Sequence, residues 1–126
     1  MTSRRWVPPV VWAAFILILT SLPGADLPRV GVPDADKLVH FTMYGIFAWL
    51  STRSFARPGR LARVVVLVVL GVSLFGAMDE WHQQFIPGRS MELLDWMADT
   101  LGALAGASVA LTALRRRSSL RREIDA

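Results

Sequence analysis

Cysteine is absent from the 126 residues. That excludes a disulfide frame, a thiolate metal site and a cysteine nucleophile. Charge is scarce as well. Asp, Glu, Lys and Arg make up 19% of the chain, against about 25% in a typical soluble domain. Only two histidines and one tyrosine are present, and neither His-Glu-x-x-His nor Gly-x-Ser-x-Gly occurs. The compact signatures of zinc proteases and serine hydrolases are therefore missing. What remains is apolar: 53% of residues are hydrophobic. Disorder, collagen and a coiled coil do not fit this composition. A chain this short cannot bury so much apolar surface in its own core, whereas lipid can cover it.

Four apolar runs stand out, at 7–22, 38–50, 64–78 and 93–114. Crossing about 30 Å of hydrocarbon takes about 20 helical residues, so the shorter runs must draw flanking polar residues into their helices. Pro8 and Pro9 sit in a first turn, where proline is tolerated. Pro23-Gly24, Pro33-Asp34, Pro58-Gly59 and Pro87-Gly88 break the runs apart. Asp34 and Ser90 stand where N-caps of the second and fourth helices belong. A cleaved signal peptide is the competing reading of the first run, but no small-x-small site follows Leu22. The valines of the third run suggest a strand, yet its length and flanking arginines favour a spanning helix. The expected architecture is all-α: a single domain over 1–126 forming a four-helix transmembrane bundle. Its helices fall at about 7–22, 34–53, 61–84 and 91–114, with a basic tail at 115–126.

Charge then orients the bundle. Arg4, Arg5, Arg53, Arg57, Arg60, Arg63, Arg115, Arg116, Arg117, Arg121 and Arg122 all fall on one side of a four-span arrangement, 11 of the 14 basic residues. The other side has Arg29, Lys37 and Arg89, with eight of the ten acids. By the positive-inside rule both termini are cytoplasmic, and the protein is expected as a multi-pass protein of the inner (cytoplasmic) membrane. The arginines are then topology anchors with contacts to the lipid bilayer, and nucleic acid is not expected as a partner. Trp6, Trp49, Trp81 and Trp96 lie near helix ends, where an aromatic belt explains them better than a sugar platform.

The arginines also serve as depth markers. Asp36 lies 17 residues before Arg53, Asp79 lies 16 after Arg63, and Asp99 lies 16 before Arg115. At about 1.5 Å per residue each carboxylate sits about 25 Å from the inner anchor, so the three are expected level near the outer edge of the hydrocarbon. Helical spacing puts Asp36, Lys37, His40 and Tyr44 on one face of the second helix, and Asp79, Glu80 and Gln83 on one face of the third. Asp95 and Asp99 share a stripe with Gly102 and Gly106, and glycines four apart let another helix approach closely. Ionisable groups at such depth usually face a bundle interior or a wet cavity. The first helix has no ionisable residue between Trp6 and Leu22 and is expected only to flank them.

These residues also carry a family pattern. Asp36-Lys37-Leu38-Val39-His40-Phe41 with Tyr44, and Asp79-Glu80-Trp81-His82-Gln83-Gln84-Phe85-Ile86-Pro87-Gly88-Arg89-Ser90, resemble the two signatures of VanZ-like proteins. Asp95, Asp99-Thr100-Leu101-Gly102 and Gly106 resemble the extension into the last helix, and Ser21-Leu22-Pro23-Gly24 the end of the first. Asp99 departs from the pattern, where Asn is common. The resemblance covers about residues 15–107. It implies a small multi-spanning envelope protein related to one linked to teicoplanin resistance, and it implies no particular reaction or substrate.

The candidate binding set is Asp36, Lys37, His40, Tyr44, Asp79, Glu80, Gln83, Arg89, Asp95 and Asp99, forming an outward-facing polar pocket. Lys37 and Arg89 are the expected ligands for an anionic lipid or cell-wall precursor, since a guanidinium grips phosphate or carboxylate through two hydrogen bonds. Asp79, Glu80 and His40 are the candidate catalytic groups if the protein is an enzyme acting on an envelope lipid. His82 falls off this face. Enzyme, binding protein and structural accessory subunit stay open, as does the oligomeric state. Asp, Glu and His suit a divalent ion, and without cysteine the oxygen ligands favour Mg²⁺, Ca²⁺ or Mn²⁺. Without a compact ligand motif, no metal and no other cofactor is assigned.

Overall fold

The computed structural model describes residues 4–26 and 31–125; Arg29 lies outside the described residues. Four helices follow one another: α1 Val7–Thr20, α2 Ala35–Phe55, α3 Leu61–Gln83 and α4 Leu93–Ile124, with a short 3₁₀ turn at Gly24–Asp26. No strand occurs among the described residues. Pro8 and Pro9 open α1 as their missing N–H groups allow. Asp34 occupies the N-cap of α2 in a left-handed conformation (φ 56°), but its side chain makes no capping hydrogen bond. Ser90 does not cap α4 either. That helix starts after Glu92, whose carbonyl accepts from the N–H groups of Asp95 and Trp96.

The basic segment after Leu114 is a continuation of α4 rather than a separate tail. It contains no glycine or proline, and its arginines and leucine favour helix. α3 and α4 are long and apolar enough to cross a membrane. A core helix of a soluble protein would be mostly buried, yet only 17% and 28% of their apolar windows are. Leu67, Leu70, Leu74, Leu101, Leu104 and Val109 face outward, a surface suited to lipid. α1 is apolar but only 14 residues long.

The bundle is built on the α2–α4 pair, whose backbones nearly touch. A Cβ added to Gly102 would run into the carbonyl of Phe41, and one added to Gly106 into the carbonyl of Gly45. Ala48, Ala103, Ala107 and Ala110 are fully buried. Such a seam of small residues maximises van der Waals contact between helices. It also runs α2 and α4 in the same direction, pairing 41 with 102 and 45 with 106. α3 packs antiparallel to them. Trp96 Nε1 donates to the Ser73 carbonyl at 3.0 Å. α1 is tied in through Trp12 Nε1, which donates to the Met43 carbonyl at 2.9 Å. Trp96 is thus partly engaged in joining helices and is not simply a belt residue. The core between the helices is Ile16, Met43, Tyr44, Val68 and Val72 with the alanines.

At the end opposite the arginines, the two Pro-Gly links meet. The Gly24 N–H donates to the Pro87 carbonyl at 3.0 Å. A side chain at Gly24 would overlap the Gly88 carbonyl, and Gly88 itself takes φ 74°, a conformation that costs glycine little. Arg89 Nη1 donates to the Thr20 carbonyl at 2.7 Å, satisfying the frayed end of α1. This contact joins two sequence-distant segments over the acidic cluster.

Candidate functional site

The α2–α4 seam brings His40 against Asp99. Their Nδ1 and Oδ1 atoms are 2.9 Å apart, a hydrogen bond in which the imidazole N–H donates when the carboxylate is ionised. Around this pair lie Glu80 from α3, its Oε1 3.7 Å from His40 Nδ1, and Asp95 from α4, its Oδ2 3.7 Å from His40 Nε2. Glu80 is held on both sides: Oε1 accepts from Gln83 Nε2 at 3.0 Å and Oε2 from the Glu92 N–H at 3.0 Å. The second of these bonds also secures the start of α4, where backbone N–H groups lack partners.

Asp79 forms a neighbouring but different unit. Its Oδ1 accepts from the Thr20 hydroxyl at 2.7 Å, and its Oδ2 from the Tyr44 hydroxyl at 2.9 Å and from Gln83 Nε2 at 3.4 Å. One carboxylate thereby links α1, α2 and α3. Thr20 is not among the site residues expected from the sequence, since a hydroxyl at the end of an apolar helix carries no charge to mark it. The signal available was a lone Thr at the end of an otherwise apolar helix. α1 therefore contributes a hydrogen bond and does not merely flank the cluster.

Lys37 sits above these groups. Its Nζ lies 2.7 Å from Asp36 Oδ2, 3.0 Å from Glu92 Oε2 and 3.0 Å from Asp95 Oδ1. Asp36 and Glu92 are exposed, so this is a rim in contact with the surroundings. Asp36 is not level with Asp79 and Asp99, as counting from the arginines suggested. The glycine contacts set α4 so that Asp99 lies beside His40, one turn further along α2. A long arginine side chain marks depth only loosely.

The structure thus brings His40, Tyr44, Asp79, Glu80, Gln83, Asp95 and Asp99 together, with Lys37 and Asp36 at the rim. Arg89 stands apart on the Thr20 carbonyl. His82 makes no hydrogen bond to the cluster among the described residues. The group is closed: Asp79, Glu80 and Asp99 are 2%, 1% and 0% exposed. A roomy cleft of about 560 Å³ lies instead at the arginine end, lined by Phe47, Val64, Leu67 and Val72 with Arg57, Arg60 and Arg63. Chemically the cluster can shuttle a proton between an oriented imidazole and neighbouring carboxylates, or hold a cation.

Comparison with known proteins gives a family model described as VanZ/LLP1, which matches residues 3–115. No curated protein and no solved structure gives a significant match.

Proposed function

The chain belongs to the VanZ/LLP1 family, and from that premise we propose that it is a four-span protein of the cytoplasmic membrane acting in the cell envelope, with both termini cytoplasmic. Its polar cluster would lie beneath the outer face and engage an anionic lipid or cell-wall precursor, a role in keeping with glycopeptide resistance of the teicoplanin type. The reading is carried by one observation: His40, Glu80, Asp95 and Asp99 converge from three helices, with more ionisable groups than ion pairing alone needs. Arg89 is the favoured anion ligand. One of its N–H groups serves the Thr20 carbonyl, and the others, which make no hydrogen bond among the described residues, would grip a phosphate or carboxylate in a forked geometry. Lys37 is a poorer ligand than its charge suggests, because three carboxylates already surround it.

A second reading, a membrane enzyme acting on an envelope lipid, draws support from the Asp99 carboxylate that orients His40. This is the arrangement an acid–base imidazole requires. An accessory role would make the Asp79 junction the main purpose of the charges. The experiment expresses the protein in a teicoplanin-sensitive host and compares it with Glu80→Gln and Arg89→Lys, while mass spectrometry identifies lipid retained on the purified protein. Reduced teicoplanin susceptibility with the wild type, lost in both variants at unchanged protein levels, supports the binding reading. Turnover of the retained lipid selects the enzyme. Unaltered susceptibility with no retained lipid refutes both.

A further inference from the structure

The histidine–carboxylate group has a charge arrangement that its own hydrogen bonds do not balance. Asp79 is saturated by Thr20, Tyr44 and Gln83. Asp95 and Asp99 are less completely satisfied. Asp99 Oδ2 is buried with no hydrogen-bond partner among the described residues, and Asp95 Oδ1 has only the Lys37 ammonium, 3.0 Å away. The Asp95 side chain is only 9% exposed. Asp95 Oδ2 faces His40 Nε2 across 3.7 Å, too far for an N–H···O bond. With His40 Nδ1 engaged by Asp99, the neutral imidazole presents a lone pair at Nε2. In its neutral form the ring therefore turns an acceptor toward Asp95 Oδ2, an arrangement that a cation between them would satisfy.

We infer that His40, Glu80 and Asp95 hold a divalent metal ion between α2, α3 and α4, with Asp99 as the carboxylate that positions the imidazole. Each of the three offers one ligand atom, and these atoms lie within 4.8 Å of one another. That separation suits ligands about 2.0–2.4 Å from a shared centre. A carboxylate on the far nitrogen of a metal-bound histidine is the usual supporting contact: it fixes the tautomer and orients the ring. Glu80 is not used up by its two hydrogen bonds, since each carboxylate oxygen keeps a second lone pair.

Charge supports the same conclusion. Asp79, Glu80, Asp95 and Asp99 carry four formal negative charges, and among the described residues Lys37 is the one permanent cation in contact with the group. Buried charges are costly unless they are paired or bind a metal. A dication between the three ligands offsets two of those charges. One imidazole and two carboxylates, with no sulfur, suit a first-row ion such as Mn²⁺ or Zn²⁺ rather than Ca²⁺ or Mg²⁺, which prefer all-oxygen shells. No compact sequence motif announced the site because its ligands come one from each of three helices. The inference rests on this geometry alone and is independent of which envelope component the protein engages.

The test strips the purified full-length protein with chelator and equilibrates it with Mn²⁺. Bound metal is counted by plasma mass spectrometry after dialysis. The site predicts one Mn²⁺ per chain, a rise in thermal midpoint with added Mn²⁺, and at least tenfold weaker binding in His40→Gln and in Asp95→Asn. Asp34→Asn, at the same end but outside the cluster, should bind as the wild type. Pulsed electron paramagnetic resonance on the wild type needs no variant: it should show coupling to one directly bound imidazole nitrogen. Absence of that coupling, or undiminished binding in His40→Gln, overturns the proposal. So does binding lost only in Asp36→Asn, which would place the ion on the exposed Asp36–Glu92–Asp95 rim. The metal count involves neither lipid nor antibiotic, so its failure is separable from failure of the envelope reading.

Discussion

Replacing Asp79 by alanine removes the acceptor shared by α1, α2 and α3, and its cost follows from what each donor keeps. Thr20 retains the Ile16 carbonyl at 2.9 Å. Gln83 retains Glu80 Oε1 at 3.0 Å. Tyr44 retains nothing: its fully buried hydroxyl has no other partner among the described residues. One orphaned buried hydroxyl costs about 1–3 kcal/mol, and the space left by the carboxylate adds up to about 1 kcal/mol. The expected loss for Asp79→Ala is therefore about 1–4 kcal/mol. Asp79→Asn keeps the shape and one carbonyl oxygen, and both hydroxyls can turn to accept from its amide, so about 1 kcal/mol is expected. Tyr44→Phe together with Asp79→Ala should cost less than the two single changes added, by at least about 1 kcal/mol, because the phenylalanine has no hydroxyl to strand. Reversible denaturation in mixed detergent–lipid micelles, followed by circular dichroism, measures all four variants. Strict additivity would refute the reasoning, and so would an Asp79→Asn as damaging as Asp79→Ala.

Further expectations concern the bundle as a whole. Replacing Gly102 or Gly106 by leucine must separate α2 from α4, since even a methyl group would meet backbone at Phe41 or Gly45. A loss of about 1–3 kcal/mol or more is expected, and wild-type thermal stability in both variants would disprove the backbone contact. Reporter fusions after Arg117 should read cytoplasmic and fusions at Ala25 exterior. An exterior C-terminus would invert the proposed sidedness and place the acidic cluster on the cytoplasmic face.

Much of the helical layout is legible from residue order alone. Apolar runs separated by Pro-Gly pairs are enough to locate α1, α2 and α3 within a few residues. The 3.6-residue repeat puts His40 with Tyr44, Asp79 with Gln83, and Asp95 with Asp99 on common faces, because periodicity along one helix is a local property. The Gly102–Gly106 stripe is readable for the same reason, and so is its role as a contact surface. The end of α4 is not: the segment 115–124 has good helix formers and no stop signal, but its charge marks it equally well as a solvated tail.

Only tertiary structure decides how one helix sits along another. That translation is set by the carbonyls of Phe41 and Gly45 lodging against Gly102 and Gly106, contacts between backbones with no side-chain signature. The glycine seam brings Asp99 to His40 rather than level with Asp36, and it places Lys37 among Asp36, Glu92 and Asp95. The same placement separates acids that look alike in sequence. Asp79 has its donors, one of them Thr20 from a helix without charges, while Asp99 is left with an unpartnered oxygen and Asp95 depends on Lys37. Residue type and spacing could nominate these carboxylates together. Whether each is satisfied depends on donors supplied by other helices, at distances that no single stretch of chain encodes.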